Sequence, residues 1–478
     1  MYDSVDITAE NIQKIFRHAA DFVLRPVQVG ALTLTACFID GLTSGSDIAD
    51  FVLRPISDLR EQTPRALLRR CLDGTVYTAV ADGCRSMDEV CQKLTNGFCV
   101  VIFPTIPDQA VAFEVKTAEQ RSPSPPQVEN TVKGAKDAFT ENSRTNTSLI
   151  RRHLRTAELA IWESTVGRRS HTNVSVLSLR GLTDPQLTEQ IIRRMESIDI
   201  DGMLTPAAVE EYLTGSRRTA FPLLQYTERT DRFAQGLLDG QVGILVDGLP
   251  LGYLAPVNVG RLMTSPEDRG TDYVTASGVR VIRYGALLIS LLLPALYVAM
   301  AQFHPAMIPT LLLRAIIESK ERVPFPTILE IMGLLVSFEL LQEAGLHLPQ
   351  SIGHTVSIIG GLVVGTAAVE ARLISPAALI VVSVAGICGF AVPGQDFSNA
   401  VRIWRFGLTV CAALAGLFGL TVGGIVLLIR LGALESCGRP YLAPFSAVTA
   451  GGAVFRRRLV TQKYRDPSLR TQDRRNQR

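Results

Sequence analysis

The sequence lacks the short motifs that identify common enzymes. It has no glycine-rich nucleotide loop, no HExxH pair and no GxSxG turn. Its six histidines fall at no spacing that would hold a metal ion, and Asp199 and Asp201 lack the glycine and glutamate of a calcium loop. The sequence therefore predicts a protein with no catalytic activity, no metal and no cofactor.

The cysteines and the N-terminus lack the features of a secreted protein. Eight cysteines are present, none in a CxxC pair, and the spacing of Cys84, Cys91 and Cys99 does not suit a compact zinc site. We expect reduced and mostly buried thiols. The first residues have neither a basic region nor an apolar run, so no signal peptide is predicted and the large N-terminal part should stay in the cytoplasm.

Charge is scarce between Arg283 and Gly432. A helix needs about 20 apolar residues to cross a bilayer core. Four segments of this block meet that length and predict spanning helices: Tyr284–Gln302, Ser351–Val369, Ile374–Val392 and Phe406–Ile429. An even number of crossings places both termini on one side.

The C-terminal tail is strongly basic. Residues Arg456–Arg478 contain nine Lys and Arg against two Asp, although the net charge of the whole chain is only +3. The tail is either a solvated segment or a contact with an anionic membrane leaflet. Either interpretation favours a cytoplasmic C-terminus, because basic segments flank membrane helices on that side.

The N-terminal region reads as two related α/β subdomains. A strand at Val29–Ile39 is followed by a helix capped by Ser44, and a hairpin joins Phe98–Phe103 to Ala110–Val115. The same order of signals recurs later. The recurring signals are a strand at Asn173–Leu179, a helix capped by Asp184 and strands at Val242–Val246 and Leu251–Pro256. Gly41 and Gly181 lie 140 positions apart, and Gly97 and Gly240 lie 143 apart, so we favour duplication over convergent hairpin chemistry.

The predicted organisation is an α+β cytoplasmic N-terminal region followed by an all-α polytopic membrane domain. The expected boundaries are 1–118 for subdomain 1, 119–155 for a linker and connector helix, 156–275 for subdomain 2, 281–432 for the membrane domain and 433–478 for the basic cytoplasmic tail. A nucleic-acid partner is not expected.

The segment 303–350 interrupts the spanning helices and carries three carboxylates, Glu330, Glu339 and Glu343. A carboxylate facing lipid is costly, so the segment should lie at the interface, re-enter the membrane or line a wet cavity. One hypothesis is a cation-attracting ring of these residues in an oligomer. The alternative is structural ion pairing with Arg314, Arg322 or a base of another subunit.

Ser351–Val369 is the best candidate pore helix. Gly361 and Gly365 form a small-residue face for close helix packing, and a narrow apolar ring of Leu362 or Val363 could gate by dewetting. Packing alone is the alternative role of this helix.

From about residue 134 through Phe445 the sequence resembles the A subunits of GerA-type spore germination receptors. The resemblance rests on an ordered set of short pieces, none decisive alone. They are Asp137–Glu141 with Asn146, Gly167–Ser170, Phe221-Pro222, Thr227-Glu228-Arg229, Asp231-Arg232, Gly240, Leu293–Tyr297, Pro324–Pro326, Glu330, Glu343–Gly345, Leu348-Pro349, Ser375-Pro376 and Pro440–Pro444. Thr230 departs from the usual Pro, and Gln342 from the usual Arg, which indicates a divergent member.

The resemblance implies a protein of the inner membrane of a bacterial spore, formed during sporulation. Such an A subunit works with a transporter-like B subunit, which holds most of the nutrient germinant, and with a lipoprotein C subunit. It is understood to form a homo-oligomeric channel for monovalent cations. A secondary transporter of small solutes and a non-conducting scaffold of the receptor complex are the alternative functions.

Overall fold

The computed structural model describes residues 5–59, 63–74, 76, 78, 80–116, 126, 129, 131, 133–215, 219–347, 365–445 and 454–476. The chain divides into two compact units. The first contains Met1–Ser216, Leu224–Pro256 and Gln462–Arg478, and the second contains Arg217–Leu223 and Val257–Thr461.

The described residues of the first unit form short helices and ten strands. Its helices are α1 (Ala9–Ile15), α2 (Gly45–Asp47), α3 (Arg54–Ser57), α4 (Pro64–Leu72), α5 (Met87–Thr95), α6 (Ser143–His153), α7 (Pro185–Glu196), α8 (Pro206–Thr214) and α9 (Thr230–Asp239), with a π-helical turn (Ile48–Leu53) between α2 and α3. Its strands are β1 (Phe22–Val29), β2 (Leu32–Ile39), β3 (Ala81–Cys84), β4 (Phe98–Ile102), β5 (Ala110–Glu114), β6 (Leu159–Val166), β7 (Thr172–Leu179), β8 (Gln225–Thr227), β9 (Val242–Val246) and β10 (Gly252–Ala255).

The ten strands form two antiparallel sheets of the same topology. The strand order is β1-β2-β4-β5-β3 in the first sheet and β6-β7-β9-β10-β8 in the second. In each, one helix (α5 or α9) precedes the third strand of this order. A glycine with positive φ follows the helix within two residues: Gly97 (φ +83°) after α5 and Gly240 (φ +99°) after α9. The prediction of two related α/β subdomains is confirmed, and the shared strand order supports their origin by duplication.

Local chemistry explains several of these elements. Ser44 accepts a hydrogen bond from the backbone N of Asp47, and Asp184 accepts one from the backbone N of Gln186, so both predicted helix caps are confirmed. The predicted Val29–Ile39 strand is wrong at its start. Val29 ends β1, and a turn at Gly30 (φ +59°) leads into β2.

Each sheet packs helices against an apolar face. One face of the first sheet packs against α1 and α5, around Ile12, Phe16 and Leu94, and its other face packs against the π-helical turn, α3 and α4. The core of the second sheet includes Phe233 and Leu237 of α9 and Ile150 of α6. The five cysteines of the first subdomain are buried, and burial raises the pKa of the Cys99 thiol to about 12.

A buried ion pair joins the two α/β subdomains. The Arg151 guanidinium on α6 donates from Nε and Nη2 to the two carboxylate oxygens of Asp21, both at 2.6 Å. Each side chain is only 1% exposed. Beside this pair the Ile161 backbone N donates to His18 O (2.8 Å), and the Ala20 N donates to Ile161 O (3.0 Å). These contacts fix the first subdomain on β6 of the second.

The second unit is mainly helical. Its helices are α10 (Val259–Leu262), α11 (Glu267–Gly270), α12 (Tyr273–Phe303), α13 (Thr310–Lys320), α14 (Thr327–His347), α15 (Pro376–Phe390) and α16 (Gln395–Ala433), and residues 365–370 are also helical. Two helices of the described part, α12 and α16, are long and apolar enough to cross a membrane, and α15 is a shorter apolar helix. A turn follows residue 370, with Arg372 at φ +57°.

The predicted span Phe406–Ile429 is wrong as a single straight helix. Within α16 the backbone leaves helical geometry at Ala415 (φ −139°, ψ 21°) and Gly416 (φ 61°, ψ −140°). Two helical arms result, at 395–414 and 417–433. At 1.5 Å per residue the arms are about 30 Å and 26 Å long.

Small residues show that the two arms of α16 fold back on each other. A Cβ placed on Gly419 would lie 2.0 Å from the carbonyl oxygen of Cys411, and one on Gly423 would lie 2.8 Å from Leu408 Cδ2. In a straight helix residues 408 and 423 would be about 22 Å apart. The glycines are required because each arm approaches the other within backbone contact distance.

Part of the basic tail packs on the first unit, although a solvated tail is one of the two predicted interpretations. Leu469 is 1% exposed, the Gln472 backbone N donates to Leu182 O (2.9 Å), and Arg465 Nε donates to Leu238 O (3.1 Å). A Cβ on Gly240 would lie 2.2 Å from Thr471 Cγ2. Residues 462–476 therefore belong to the first unit.

Candidate functional site

Glu330 lies in the first turn of α14 and is buried. Its Oε2 accepts hydrogen bonds from the backbone N of Ser375 (3.0 Å) and from Ser375 Oγ (2.8 Å). Its Oε1 lies 3.6 Å from Lys320 Nζ at the end of α13 and accepts no hydrogen bond from the described residues. Lys320 also donates to Thr327 Oγ1. Glu330 thus connects α13, α14 and the start of α15.

The position of Glu330 suits the helix that it contacts. Ser375 caps α15 through the backbone N of Ala378, and Pro376 occupies the first helical position. A helix N-terminus carries a partial positive charge. The Glu330 carboxylate is therefore attracted both by the N-terminus of α15 and by the Lys320 ammonium. The Glu330 and Ser375-Pro376 motif pieces, 45 residues apart, meet at this contact.

Glu339 lies on the same helix and receives two arginines from α16. Arg402 Nη1 approaches its Oε2 at 2.8 Å, and Arg405 Nη2 approaches its Oε1 at 2.9 Å. Arg402 also donates to Gln342 Oε1 and to Asn399 Oδ1. The Arg405 side chain is 1% exposed. One carboxylate of α14 therefore contacts two guanidinium groups of α16.

The observed pairing partners differ from the predicted ones. The sequence suggested Arg314 or Arg322, whereas the bases in contact are Lys320, Arg402 and Arg405. Glu343 is exposed on α14. The structure thus holds Glu330 and Glu339 in ion pairs within one chain, and the carboxylate ring remains a prediction.

The predicted pore helix falls mostly outside the described residues. Gly361, Leu362 and Val363 lie in the stretch 351–364, which the structure does not describe. Gly365 is described, and a Cβ at this position would lie 3.6 Å from both Leu379 δ-carbons of α15. Gly365 therefore lies against a neighbouring helix of the same chain, as a packing residue would.

The Thr227–Arg232 motif forms a hydrogen-bonded cluster in the soluble unit. The buried Arg229 donates to Asp231 Oδ2 (2.7 Å), Thr131 Oγ1 (2.8 Å) and Ala135 O (2.9 Å). Thr227 Oγ1 donates to the Glu129 carboxylate, and Arg232 pairs with the same carboxylate. The backbone oxygen of Glu228 accepts from Phe139 N. The cluster anchors the linker segment to the edge of the second sheet.

Thr230, which departs from the family pattern, has a partner of its own. Its hydroxyl contacts the Asp137 carboxylate, which also lies 2.9 Å from His153 Nε2. These hydrogen bonds, with the His153 contribution largest, lower the pKa of Asp137 to about 2. A proline at 230 would supply neither the hydroxyl nor a backbone donor.

Sequence reasoning missed Glu129, Lys320, Arg402 and Arg405 as members of these sites. Glu129, Arg402 and Arg405 are distant in sequence from the residues that they contact. Lys320 is only ten positions from Glu330, but helical spacing does not relate the two. Within the described ranges no group of three or more His, Cys, Asp or Glu is placed to hold a metal ion.

Comparisons with known proteins agree over nearly the whole chain. The family model described as "Bacillus/Clostridium GerA spore germination protein" matches residues 10–468. Spore germination protein KA of Bacillus subtilis (strain 168) is 34% identical over 92% of this chain and 81% of its own length. Spore germination protein B1 of the same organism is 31% identical over 92% and 91%.

Two further matches describe a membrane protein and a solved domain. The uncharacterized membrane protein YfkQ of Bacillus subtilis (strain 168) is 34% identical over 91% of this chain and 85% of its own length. The crystal structure of the N-terminal domain of the A subunit of the Bacillus megaterium spore germinant receptor GerK3 aligns with 54% of this chain and 97% of that one. Its TM-score is 0.42 and its identity 24%. On the extent of the family match and of these identities, the chain belongs to the GerA family of spore germination proteins.

Proposed function

We propose that this chain is the A subunit of a spore germinant receptor and forms, as a homo-oligomer, a nutrient-gated channel for monovalent cations. It would act without catalysis or cofactor in the inner membrane of the spore. A transporter-like B subunit would hold most of the germinant, and a lipoprotein C subunit would complete the receptor. Both termini would face the cytoplasm. Relatives named as spore germination proteins support the setting.

The observation that carries the channel proposal is the pairing of charges inside the helical unit. Charged groups within a membrane are expensive and commonly mark ion pathways. In this chain Glu330 pairs with Lys320, and Glu339 pairs with Arg402 and Arg405. These contacts link four helices: α13, α14, α15 and α16.

Such pairs give the unit two electrostatic states. While they are formed, the carboxylates of Glu330 and Glu339 are neutralised and do not attract a mobile cation. If the helices separate, the same carboxylates, together with Glu343, become an acidic lining. Leu362 and Val363 would form the apolar constriction. Germinant binding to the partner would shift the balance by favouring the separated state.

Cation flux through the purified full-length chain tests the channel. The protein is reconstituted into liposomes loaded with potassium. Potassium efflux without nutrient is then compared between the wild-type protein and the Val363→Ala variant. A gate at this position predicts leak without nutrient in the variant, at an unchanged protein level. A variant with lower protein level and no leak would assign Val363 to packing instead.

The carboxylates are tested separately, by removing Glu330, Glu339 and Glu343 one at a time. A cation-attracting lining predicts reduced flux or altered potassium-to-chloride selectivity. Unchanged flux and selectivity in all three variants would refute the lining. Saturable uptake of a small solute would favour a secondary transporter, and absence of conductance in an intact oligomer would favour a scaffold.

A further inference from the structure

At the start of α12 charged side chains face inward and apolar side chains face outward. Its arginines turn inward: Arg280 Nε lies 2.9 Å from Asp268 Oδ2, and Arg283 Nη1 lies 2.7 Å from Asp268 Oδ1. Asp268 is 2% exposed, and both arginine side chains are at most 12% exposed. Most outward positions of the same turns are apolar. Val274 and Ile282 are 59% and 68% exposed.

The segment 454–461 packs beside these turns and adds apolar and basic groups. Arg456 donates from its backbone N to Ser277 Oγ (3.0 Å) and from Nη1 to Asp268 O (2.6 Å). With Arg456 held inward, Phe455 and Val460 are left 59% and 82% exposed. Arg457 and Arg458 are also exposed, and residues 454–461 contain no acidic side chain.

The aromatic ring of Tyr273 orients the exposed Arg458 side chain. The Arg458 guanidinium carbon lies 4.5 Å from the centre of the Tyr273 ring, and its Nη2 donates to the Tyr273 hydroxyl (2.7 Å). Tyr273 is the first residue of α12. An aromatic and a basic residue at the end of a membrane helix are typical of the membrane–water interface.

The length of α12 places this surface at the right depth. Its 31 residues extend about 46 Å at 1.5 Å per residue. A bilayer has a hydrocarbon core of about 30 Å and a thickness of about 40–45 Å with its headgroups. When α12 is centred on the core, about five residues at each end lie in the headgroup layer, at this end Tyr273–Ser277.

We propose that the start of α12 and residues 454–461 form an interfacial anchor that binds an anionic phospholipid surface. Phe455, Val460 and Ile282 insert among the upper acyl chains, while Arg457 and Arg458 contact headgroup phosphates. Charge complementarity favours an anionic bilayer over an apolar protein partner, since basic and apolar side chains alternate along the same exposed edge. The proposal rests on the crossing of the membrane by α12.

Tryptophan quenching in nanodiscs tests the anchor in the full-length chain. Trp162 and Trp404 are replaced by Phe, and a single reporter is introduced as Phe455→Trp or as Leu288→Trp, in the middle of α12. Nanodiscs contain equal amounts of phosphatidylglycerol and phosphatidylcholine, and only one of the two lipids is brominated at the top of its acyl chains. The anchor predicts quenching of the reporter at 455, with brominated phosphatidylglycerol the stronger quencher.

Charge-removal variants measure the contribution of the arginines. A basic residue near an anionic surface contributes about fivefold in local lipid preference at low salt. Arg457→Gln/Arg458→Gln should therefore bring the quenching ratio of the two lipids close to one. Arg474→Gln, an exposed residue of the tail segment that packs on the soluble unit, is the matched control and should keep the wild-type ratio.

The two reporters separate the possible failures. Absence of quenching at 288 by lipids brominated deep in the acyl chain would refute the membrane crossing of α12. Quenching at 288 without quenching at 455 would refute the anchor alone. Quenching at 455 that is equal for the two lipids, or unchanged in the double arginine variant, would refute the anionic headgroup contact.

Discussion

Replacing Glu330 with Gln should destabilise the helical unit through the loss of one charge. The amide oxygen of the new side chain would still accept from Ser375 N and Oγ, so the cap of α15 would persist. Lys320, which is 28% exposed, would lose the carboxylate 3.6 Å away. The substitution therefore separates the ion pair from the hydrogen bonds of the same side chain.

The expected magnitude follows from the geometry. At an effective dielectric constant of about 20, unit charges 3.6 Å apart attract by about 4.6 kcal/mol. Desolvation of the buried carboxylate offsets part of this attraction, and breaking a buried pair typically costs about 3–5 kcal/mol. Because Lys320 is partly hydrated, we expect the lower end of the range, about 3 kcal/mol.

The apparent melting temperature of the detergent-solubilised chain measures this loss. Glu330→Gln should lower it by several degrees, and Glu330→Gln/Lys320→Met should restore most of the difference because no unpaired charge remains. Glu318→Gln removes an exposed carboxylate from α13 and should have no effect. Equal losses in the single and double variants would refute the electrostatic argument and assign the effect to packing.

Three further predictions concern other described contacts. Asp21→Asn should cost about 3–5 kcal/mol in denaturant unfolding because it leaves the buried Arg151 uncompensated, and Asp21→Leu/Arg151→Met should recover most of that loss; a double variant as unstable as the single one would contradict this. Asp137 has a pKa lowered from 3.8 to about 2 in the folded chain, so its stabilising contribution is complete above about pH 4 and is lost as the pH falls towards 2. His153→Ala should raise the pH midpoint of acid unfolding, and an unchanged midpoint would contradict the assignment. Gly419→Ala should disrupt the α16 hairpin because its Cβ would meet the Cys411 carbonyl oxygen at 2.0 Å, whereas Gly424→Ala meets no atom within 4 Å and is the control; equal yields of folded protein from the two variants would contradict the hairpin.

The sequence predicted the soluble fold best where local chemistry is strong. The caps at Ser44 and Asp184 and the hairpin of β4 and β5 have short-range signals. The strands β1 and β6 were missed because their exposed and polar positions give no clear alternation. Arg25 and Pro26 interrupt β1, and Glu163, Ser164 and Thr165 occupy the end of β6. Both are edge strands, for which the burial pattern is weakest.

The composition of the sequence predicted the apolar helices of the second unit, but it did not predict the course of their backbone. Hydropathy counts apolar residues and is unaffected by a backbone reversal at Gly416. The glycines at 416, 419 and 423 were the available signal for close approach. The partner of Glu330 was also hidden, because Pro324 and Pro326 separate Lys320 from α14 and remove any fixed helical spacing between the two charges.

The docking of residues 462–476 has a consequence for biosynthesis. The chain leaves the soluble unit after Pro256 and returns to it at Gln462, so the helical unit is an insertion within a domain. The site that buries Leu469 and contacts Thr471 must remain unfilled while about 200 residues are synthesised and inserted. The first unit is therefore complete only after the whole helical unit has been synthesised.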